Sequence, residues 1–259
     1  MRQKKCIWCF KTEPSVTFNK KAHTIPQSIG GKFICEDVCD DCNLYFGSKQ
    51  AGLPSVEAAI KETFGIARAR FMDASGKYGK NRLMPRFKSE YFNLDFKRKK
   101  IEFKYGFNGN LSFQENLAMQ LKKGLFKMYL EELHRQLGTG FDDRYNFIRK
   151  FARFNLMNFP VIYFERKHGI ILSGVEWVDV PRLIINEPFL QYLAFEESFY
   201  EFEMMGHVFG IPATQEWELD FDKYIRKSMK IKEGFFHSWK WVRVFPDIDF
   251  QLTILNDKM

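Results

Sequence analysis

The chain has 259 residues, a formal net charge of +8 and a pI of about 9.1, and its 45% hydrophobic content is sufficient to bury a core. No run of about eighteen apolar residues occurs, so we expect no membrane-spanning segment. The 29 phenylalanines favour a packed β-rich or mixed structure and argue against a coiled coil or a disordered chain.

Positive charge is concentrated in the first 154 residues. Residues 51–154 carry 21 basic and 11 acidic side chains and residues 1–50 carry 8 and 5, whereas residues 155–259 carry 11 and 16. An excess of cations attracts polyanions without selecting a sequence. The pattern predicts a nucleic-acid partner, and an ordinary solvated basic surface is the alternative.

Four of the five cysteines form two CxxC pairs, Cys6 with Cys9 and Cys39 with Cys42. Two such pairs can bring four thiolates around one metal ion, which is typical of a closed structural zinc site. Disulfides and free buried thiols are the alternatives. Cys35 has no CxxC partner and is predicted to be a buried strand residue, with an exchange of Cys35 for Cys39 as ligand left open. Cysteines grouped as metal ligands favour a reducing compartment, so we expect a cytoplasmic protein.

The segment between the pairs contains the run AHTIP, in which the histidine is His23, followed by Gly30-Gly31, and Asn43 comes directly after the last cysteine. In this order the features resemble the HNH endonucleases, in particular those whose ββα-metal fold is held by a four-cysteine zinc. The resemblance covers residues 6–48. It implies that His23 ends the first strand of a hairpin and acts as general base, because a histidine titrates near neutral pH. It also implies that Asn43 begins a short helix and binds a catalytic Mg²⁺ or Mn²⁺ ion.

Two positions depart from the family pattern. Ala22 stands where many family members carry Asp, Glu or His as a second metal ligand, and no Asn lies between His23 and Asn43. The sequence leaves three options open: a metal held by fewer protein ligands, a displaced ligand, or a domain that binds without cutting. Acidic side chains that could replace the missing ligand are Glu13, Asp37, Asp40 and Asp41.

The complete chain predicts an α+β organisation in three parts. Residues 1–50 form a zinc-clamped ββα-metal module, residues 51–89 a basic helix and linker, and residues 90–259 a mixed domain of helices and antiparallel sheet. The last part is expected to select the target, hold a dimer or regulate the nuclease.

Hydrophobic periodicity predicts the individual elements. Helices are expected over 53–72, 113–137 and 142–154, and the second of these is interpreted as a core helix, with a dimer seam as the alternative. His134, on this helix, is interpreted as a surface residue. Strands are expected over 91–96, 101–107, 181–186, 198–205, 207–212 and 248–255, with a hairpin of 159–165 and 169–177.

Two further interpretations concern charged side chains. The acidic stretch from Glu187 to Asp222 is interpreted as a solvated or partner-facing surface. In the basic second part, arginines at the end of the first long helix and cations in the linker are expected to contact phosphate, with ordinary exposed cations as the alternative. These candidate nucleic-acid ligands are Arg68, Arg70, Lys77, Lys80, Arg82 and Arg86.

The function expected from these features is metal-dependent hydrolysis of phosphodiester bonds in DNA, in restriction, phage defence or mobile-element cutting. DNA is the expected partner, and RNA and a homodimer stay open. A non-catalytic zinc-dependent module that binds nucleic acid is one alternative. A protein-interaction domain in which the zinc segment is a scaffold is another.

Overall fold

The structure is a computed structural model, and it describes residues 3–49, 52–74, 88–95, 100–107, 109–167, 180–185, 193 and 198–250. Within these residues, five α-helices and two antiparallel sheets form the mixed α+β fold that the sequence predicts. Every helix in these ranges is too short or too polar to span a lipid bilayer.

The helices follow the predicted order, with one addition. The first helix is short, the third is the longest at 27 residues, and the fifth lies in a region for which no helix is predicted. Their bounds are Asp40–Gly47 (α1), Val56–Ala74 (α2), Leu111–Leu137 (α3), Asn146–Ala152 (α4) and Phe221–Ile231 (α5).

Seven strands are present in the described part of the chain. They are Phe92–Asp95 (β1), Lys100–Phe103 (β2), Ile162–Arg166 (β3), Ile184–Ile185 (β4), Phe199–Met204 (β5), His207–Pro212 (β6) and Phe236–Trp241 (β7). β1 and β2 pair as the predicted hairpin, and the others form one sheet in the order β4-β5-β6-β3-β7. The predicted linker at 73–89 and the predicted last strand at 248–255 lie mostly outside the described residues.

Helix α3 is the core helix, as predicted. The side chain of Asn110 accepts a hydrogen bond from the Phe113 amide at the start, and Gly138 ends the helix with a left-handed backbone (φ 71°). Seventeen of its residues are buried, including lysines and glutamates. Other parts of the chain therefore pack against more than one face of this helix. α2 packs along it, with Ile60 against Gly124.

The large sheet is buried on both faces. Tyr163, Phe202 and Phe209 belong to the cluster that includes α2 and α3, whereas Ile162 and Phe164 pack with α5 on the opposite face. Successive residues of a strand point to opposite faces, so β3 contributes to both clusters. The result is three layers, with the sheet between α2/α3 and α5.

The predicted second strand at 169–177 lies outside the described residues. Its predicted pairing with residues 162–164 is wrong, because other strands occupy both edges of this part of β3. β6 pairs with β3 at Ile162–Phe164 on one edge, and β7 pairs with it on the other edge. Both partners lie more than forty residues further along the chain. Local alternation identifies a strand but does not identify its neighbours, because pairing is decided by tertiary packing.

The acidic stretch from Glu187 to Asp222 is not uniformly solvated, contrary to the prediction. Glu201 is 2% exposed, accepts hydrogen bonds from the hydroxyls of Tyr224 (2.7 Å) and Ser228 (2.6 Å), and pairs with the buried Lys232. A buried carboxylate is stable only when it is paired and hydrogen-bonded. Glu201 therefore joins β5 to α5 inside the protein.

One hydrophobic cluster includes residues of the 6–48 segment, of α2 and α3, and of one face of the sheet. The first and second predicted parts therefore contact the third across packed apolar side chains. The boundaries at residues 50 and 89 stay predictions.

The stability of the fold is expected to depend on the protonation of His207. This side chain is fully buried, with Nδ1 3.3 Å from the Tyr163 hydroxyl, and burial followed by the charge of Arg166 lowers its pKa to about 3. The unfolded state, with a pKa of about 6.5, binds the proton more readily, so stability is complete above pH 6.5 and falls as the pH is lowered toward 3. Protonation of His207 in the unfolded state alone is expected to lower the free energy of unfolding by about 2 kcal/mol between pH 7.5 and pH 5.

Urea unfolding at the two pH values tests this. His207→Gln does not titrate, so its loss of unfolding free energy between pH 7.5 and pH 5 should be smaller than that of the wild type by the same about 2 kcal/mol. Equal losses in the two proteins would contradict the assignment.

Candidate nuclease site and its zinc cluster

The two CxxC pairs meet, as predicted. The sulfur atoms of Cys6, Cys9, Cys39 and Cys42 lie within 4.8 Å of one another, and the Cys9 and Cys39 sulfurs are 3.7 Å apart. Four sulfurs at the usual Zn–S distance of about 2.3 Å in a tetrahedron are separated by about 3.8 Å. The cluster therefore fits Zn²⁺ with four thiolate ligands.

Backbone and side-chain donors surround these sulfurs. The amides of Trp8 and Cys39 each lie 3.4 Å from the Cys6 sulfur, and Arg153 Nε lies 3.3 Å from the Cys42 sulfur. Donors of this kind stabilise thiolates and orient metal ligands. Arg153 also lies over the Tyr45 ring at 4.3 Å, which connects the end of α4 to α1.

Cys35 is a buried residue outside the metal cluster, as predicted. Its neighbour on the hairpin is Ala22, whose carbonyl accepts from the Cys35 amide at 2.9 Å. Burial, followed by the charge of Glu131, raises the pKa of the Cys35 thiol. Its sulfur atom does not belong to the group of four sulfurs that lie together, so Cys35 does not replace Cys39 in the cluster.

His23 lies on a minimal antiparallel hairpin. It forms a bridge with Ile34, and the amide of Thr24 donates to the Phe33 carbonyl at 3.0 Å. The loop closes through Gly30, whose φ is 96°, and Gly31, where a Cβ would come within 1.8 Å of the Ile25 carbonyl oxygen. No other residue fits at Gly31 without a backbone shift, which explains the glycine pair.

The imidazole of His23 is half-buried and has no hydrogen-bond partner among the residues that the structure describes. Its backbone, by contrast, is held by the hairpin and by α3. The chain therefore fixes the position of this residue and leaves the ring nitrogens available for a substrate or a water molecule.

Asn43 lies in the first turn of α1, four residues after Cys39, whose carbonyl accepts from its amide at 2.9 Å. Its side-chain Nδ2 lies 3.5 Å from the carbonyl oxygen of Lys21, two residues before His23. α1 therefore places Asn43 beside the strand that carries His23. With Nδ2 turned to Lys21, the oxygen of the carboxamide is the atom available to a metal ion.

A buried ion pair on α3 connects the zinc knuckle to the hairpin. Lys127 and Glu131 are both fully buried, and Lys127 Nζ lies 2.7 Å from Glu131 Oε2. Lys127 also donates to the His23 carbonyl at 2.9 Å, and Glu131 accepts from Trp8 Nε1 at 3.0 Å. Burial raises the pKa of the Glu131 carboxyl, and the Lys127 ammonium opposes that shift. Trp8, Glu131, Lys127 and His23 thus form one continuous hydrogen-bonded chain.

His134 continues this polar stripe on α3, one turn after Glu131. It is 9% exposed, its Nε2 lies 2.9 Å from Asp37 Oδ2, and its Nδ1 accepts from the Gly140 amide at 3.1 Å. The prediction that His134 is a surface residue is therefore wrong. Residues 127, 131 and 134 share one face of a helix, and that face contacts the N-terminal module.

Two of the four acidic candidates for a second metal ligand have structural partners. Asp40 accepts from the Thr17 hydroxyl at 2.5 Å and from the Lys20 amide at 2.7 Å, and Asp37 pairs with His134. Glu13 and Asp41 are exposed. Ala22 is 1% exposed, so its methyl group is packed in the core of the module.

Among the predicted nucleic-acid ligands, the structure describes the side chain of Arg68 only. Arg68 is half-buried and its guanidinium lies over Gly30, where a Cβ would come within 2.9 Å of Nε. It is thus beside the loop that follows His23. The side chains outside the described residues are those of Arg70, Lys77, Lys80, Arg82 and Arg86.

The residues that sequence reasoning missed are Trp8, Lys127, Glu131, Arg149 and Arg153. Arg149, for example, is 2% exposed and donates to the Ile7 carbonyl in the first knuckle at 2.6 Å. A signal for Lys127 and Glu131 exists in the sequence, since opposite charges four residues apart lie within an otherwise apolar core helix. Oppositely charged residues on the exposed face of a helix have the same spacing, so this pattern does not predict that the ion pair is buried.

Removal of a zinc ligand is expected to release the metal. The purified wild type should contain one Zn²⁺ per chain by mass spectrometry of the metal content, and Cys42→Ser should contain much less and unfold at lower temperature. Cys35→Ser is the matched control, because Cys35 is a buried cysteine of the same module, and its zinc content should equal that of the wild type. Loss of zinc in Cys35→Ser, or full zinc in Cys42→Ser, would contradict the ligand assignment.

Lys127→Met is expected to destabilise the protein by about 3–5 kcal/mol, because it leaves the Glu131 carboxylate buried without a counter-ion. The double variant Lys127→Met, Glu131→Gln removes the buried charge and keeps an acceptor for Trp8, so it should recover part of that loss. Denaturant unfolding of both proteins provides the measurement. A single variant as stable as the wild type would show that the ion pair does not connect these elements energetically.

Comparison with known proteins relates part of the chain to a protein family. Residues 6–51 match the family model described as HNH endonuclease. No curated protein and no solved structure matches the chain. The matched segment contains the four-cysteine cluster, His23 and Asn43, and the family that it resembles acts as nucleases on nucleic acids.

Proposed function

We propose that the chain is a metal-dependent endonuclease that hydrolyses phosphodiester bonds in DNA, with His23 as general base and Asn43 as a ligand of the catalytic metal. The observation that carries the proposal is the coincidence of the family match with the geometry of the segment. The match covers the zinc cluster and both residues, and Asn43 contacts the strand of His23 through the Lys21 carbonyl.

The role of His23 is supported by its fixed backbone and available ring. A general base must accept a proton from the attacking water, and an imidazole does so at neutral pH. Lys127 holds the His23 carbonyl from inside the protein, so the ring is presented from a rigid support. Orientation of the base toward an attacking water contributes to the rate because it lowers the entropic part of the barrier.

The role of Asn43 is supported by its chemistry. Its carboxamide oxygen is a hard donor that suits Mg²⁺ or Mn²⁺, and Mg²⁺ commonly keeps several waters and is bound by one or two protein ligands together with substrate phosphates. A single protein ligand therefore fits such an ion when DNA is bound. When bound, the metal supplies charge neutralisation at the scissile phosphate and at the leaving oxygen.

A nucleic-acid substrate is supported by charge. Lys20, Lys21 and Lys32 are exposed on the hairpin that carries His23, and Arg68 lies over its loop. Cations around a reactive group bind phosphates and position the backbone without reading its sequence. A role in restriction or phage defence completes the proposal.

The second candidate is a zinc-dependent module that binds nucleic acid without cutting it. The buried Ala22 favours it, because the methyl group stands where many members of the family carry a metal ligand. The two candidates differ in cleavage and agree on binding.

Cleavage of supercoiled plasmid DNA with Mg²⁺ or Mn²⁺ tests the proposal. We expect nicking by the wild type, and a loss of about a hundredfold or more in His23→Ala, because general-base catalysis contributes about 10²–10⁴-fold. His237→Ala is the matched control, since His237 is an exposed histidine on β7, and it should cut as the wild type does.

DNA binding in a gel shift should be retained in both variants. Equal nicking by His23→Ala and the wild type would contradict the assignment of the base. A wild type that shifts DNA and cuts with neither metal would favour the binding module. In cells, reduction of phage plaques by the wild type and not by His23→Ala would support the defence role.

A further inference from the structure

A cavity separate from the zinc cluster lies among residues of the third predicted part. It has a volume of about 330 Å³, within the range of small-ligand sites, and lies between α3, the end of β7 and the short helical turn Trp217–Asp220. The lining residues that matter for its chemistry are Lys122, Asn158, Trp217, Trp241 and Arg243.

The charge of the cavity is positive. Two cations, Lys122 and Arg243, line it, and no carboxylate does so among the described lining residues. The nearby Asp247 carboxylate is engaged by the backbone amides of Arg243 (2.7 Å) and Val244 (2.8 Å). The cavity therefore offers positive charge that no acidic side chain in its described wall neutralises.

Lys122 is an unusual wall residue because it is 7% exposed and has a neutral partner. Its ammonium donates to Asn158 Oδ1 at 2.7 Å and lies 5.9 Å from the centre of the Phe151 ring. Burial lowers its pKa to about 8. A buried ammonium without a counter-ion is unfavourable, and an anion in the cavity would remove that cost.

The aromatic wall is formed by Trp217 and Trp241, whose ring centres are 5.6 Å apart at an angle of 67°. The ring centres of Phe221 and Trp241 are 4.7 Å apart. Trp217 contacts the rings of Phe199, Phe221 and Trp241 in edge-to-face geometry. Neither indole N–H has a hydrogen-bond partner within the described ranges. The wall thus combines π-surfaces with donors, which suits a planar, anionic ligand.

We propose that this cavity binds one nucleotide unit, with the base against Trp217 and Trp241 and the phosphate between Lys122 and Arg243. The choice of a nucleotide over another aromatic anion rests on the proposed action on nucleic acid. The nucleotide could be a free mononucleotide or an unstacked nucleotide of a DNA strand. In both cases the tryptophans would contact the base and the cations would contact the phosphate.

Isothermal titration of the full chain, without added Mg²⁺ or Mn²⁺, tests the site. The probes are dAMP, dCMP, dGMP, dTMP and inorganic phosphate. At least one mononucleotide should bind saturably at one site per chain, and phosphate alone should bind at least tenfold more weakly because it makes no aromatic contact. Arg243→Gln and Lys122→Gln should each weaken nucleotide binding at least tenfold.

Arg226→Gln is the matched control, because Arg226 is an exposed arginine on α5 outside the cavity wall, and it should bind as the wild type does. Arg243 is exposed, so its variant should keep the fold, which circular dichroism and thermal unfolding will verify. Lys122→Gln alone would not separate a binding defect from a folding defect.

A 5′-phosphorylated single-stranded oligonucleotide distinguishes the sources. Binding of mononucleotide and oligonucleotide in competition supports a strand nucleotide, and binding of mononucleotide alone supports a free ligand. Absence of saturable binding of every probe at millimolar concentration, or equal affinity in the wild type, Arg243→Gln and Lys122→Gln, would overturn the proposal. Plasmid cleavage is measured separately, so binding without cleavage counts against the nuclease and not against the cavity.

Discussion

The buried ion pair of Lys127 and Glu131 is the constraint on which the relation between the N-terminal module and the rest of the chain depends. Both side chains are fully buried, and each has a second partner in the module, the His23 carbonyl for the lysine and Trp8 for the glutamate. An ion pair in the interior is stable only with good geometry and satisfied hydrogen bonds. The docking of α3 on the module is therefore defined by polar contacts as well as by apolar packing.

This arrangement also explains how a segment of about fifty residues holds a precise site. A chain of this size buries too little apolar surface to be stable without metal or other support. The zinc cluster fixes the two knuckles and the start of α1, which carries Asn43, and α3 fixes the hairpin, which carries His23. Two supports thus act on the two residues of the proposed site, and the Trp8–Glu131 hydrogen bond joins them.

The sequence predicted the local features of the site and not its tertiary support. The two CxxC pairs follow from the spacing of the cysteines, and the structure brings the four sulfurs together. The roles of His23, Asn43 and the glycine pair come from the resemblance to the HNH endonucleases. Lys127, Glu131 and His134 have the spacing of a solvated stripe, and only the docking of another segment buries them. In the same way, the burial of Glu201 depends on its contact with α5. The apolar residues of α5 have helical spacing, which the sequence analysis did not identify.

The sheet shows the same division between local and non-local information. Alternation predicted β5 and β6, whose hairpin needs only a two-residue turn, but not the partners of β3, which lie far along the chain. Pairing over such distances is decided by which faces must be buried, and here both faces are covered, one by α2/α3 and the other by α5. The same α3 that covers one face of the sheet holds His23 through Lys127 and contributes Lys122, five residues earlier, to the cavity. One helix therefore contacts both the proposed catalytic residue and the proposed nucleotide site.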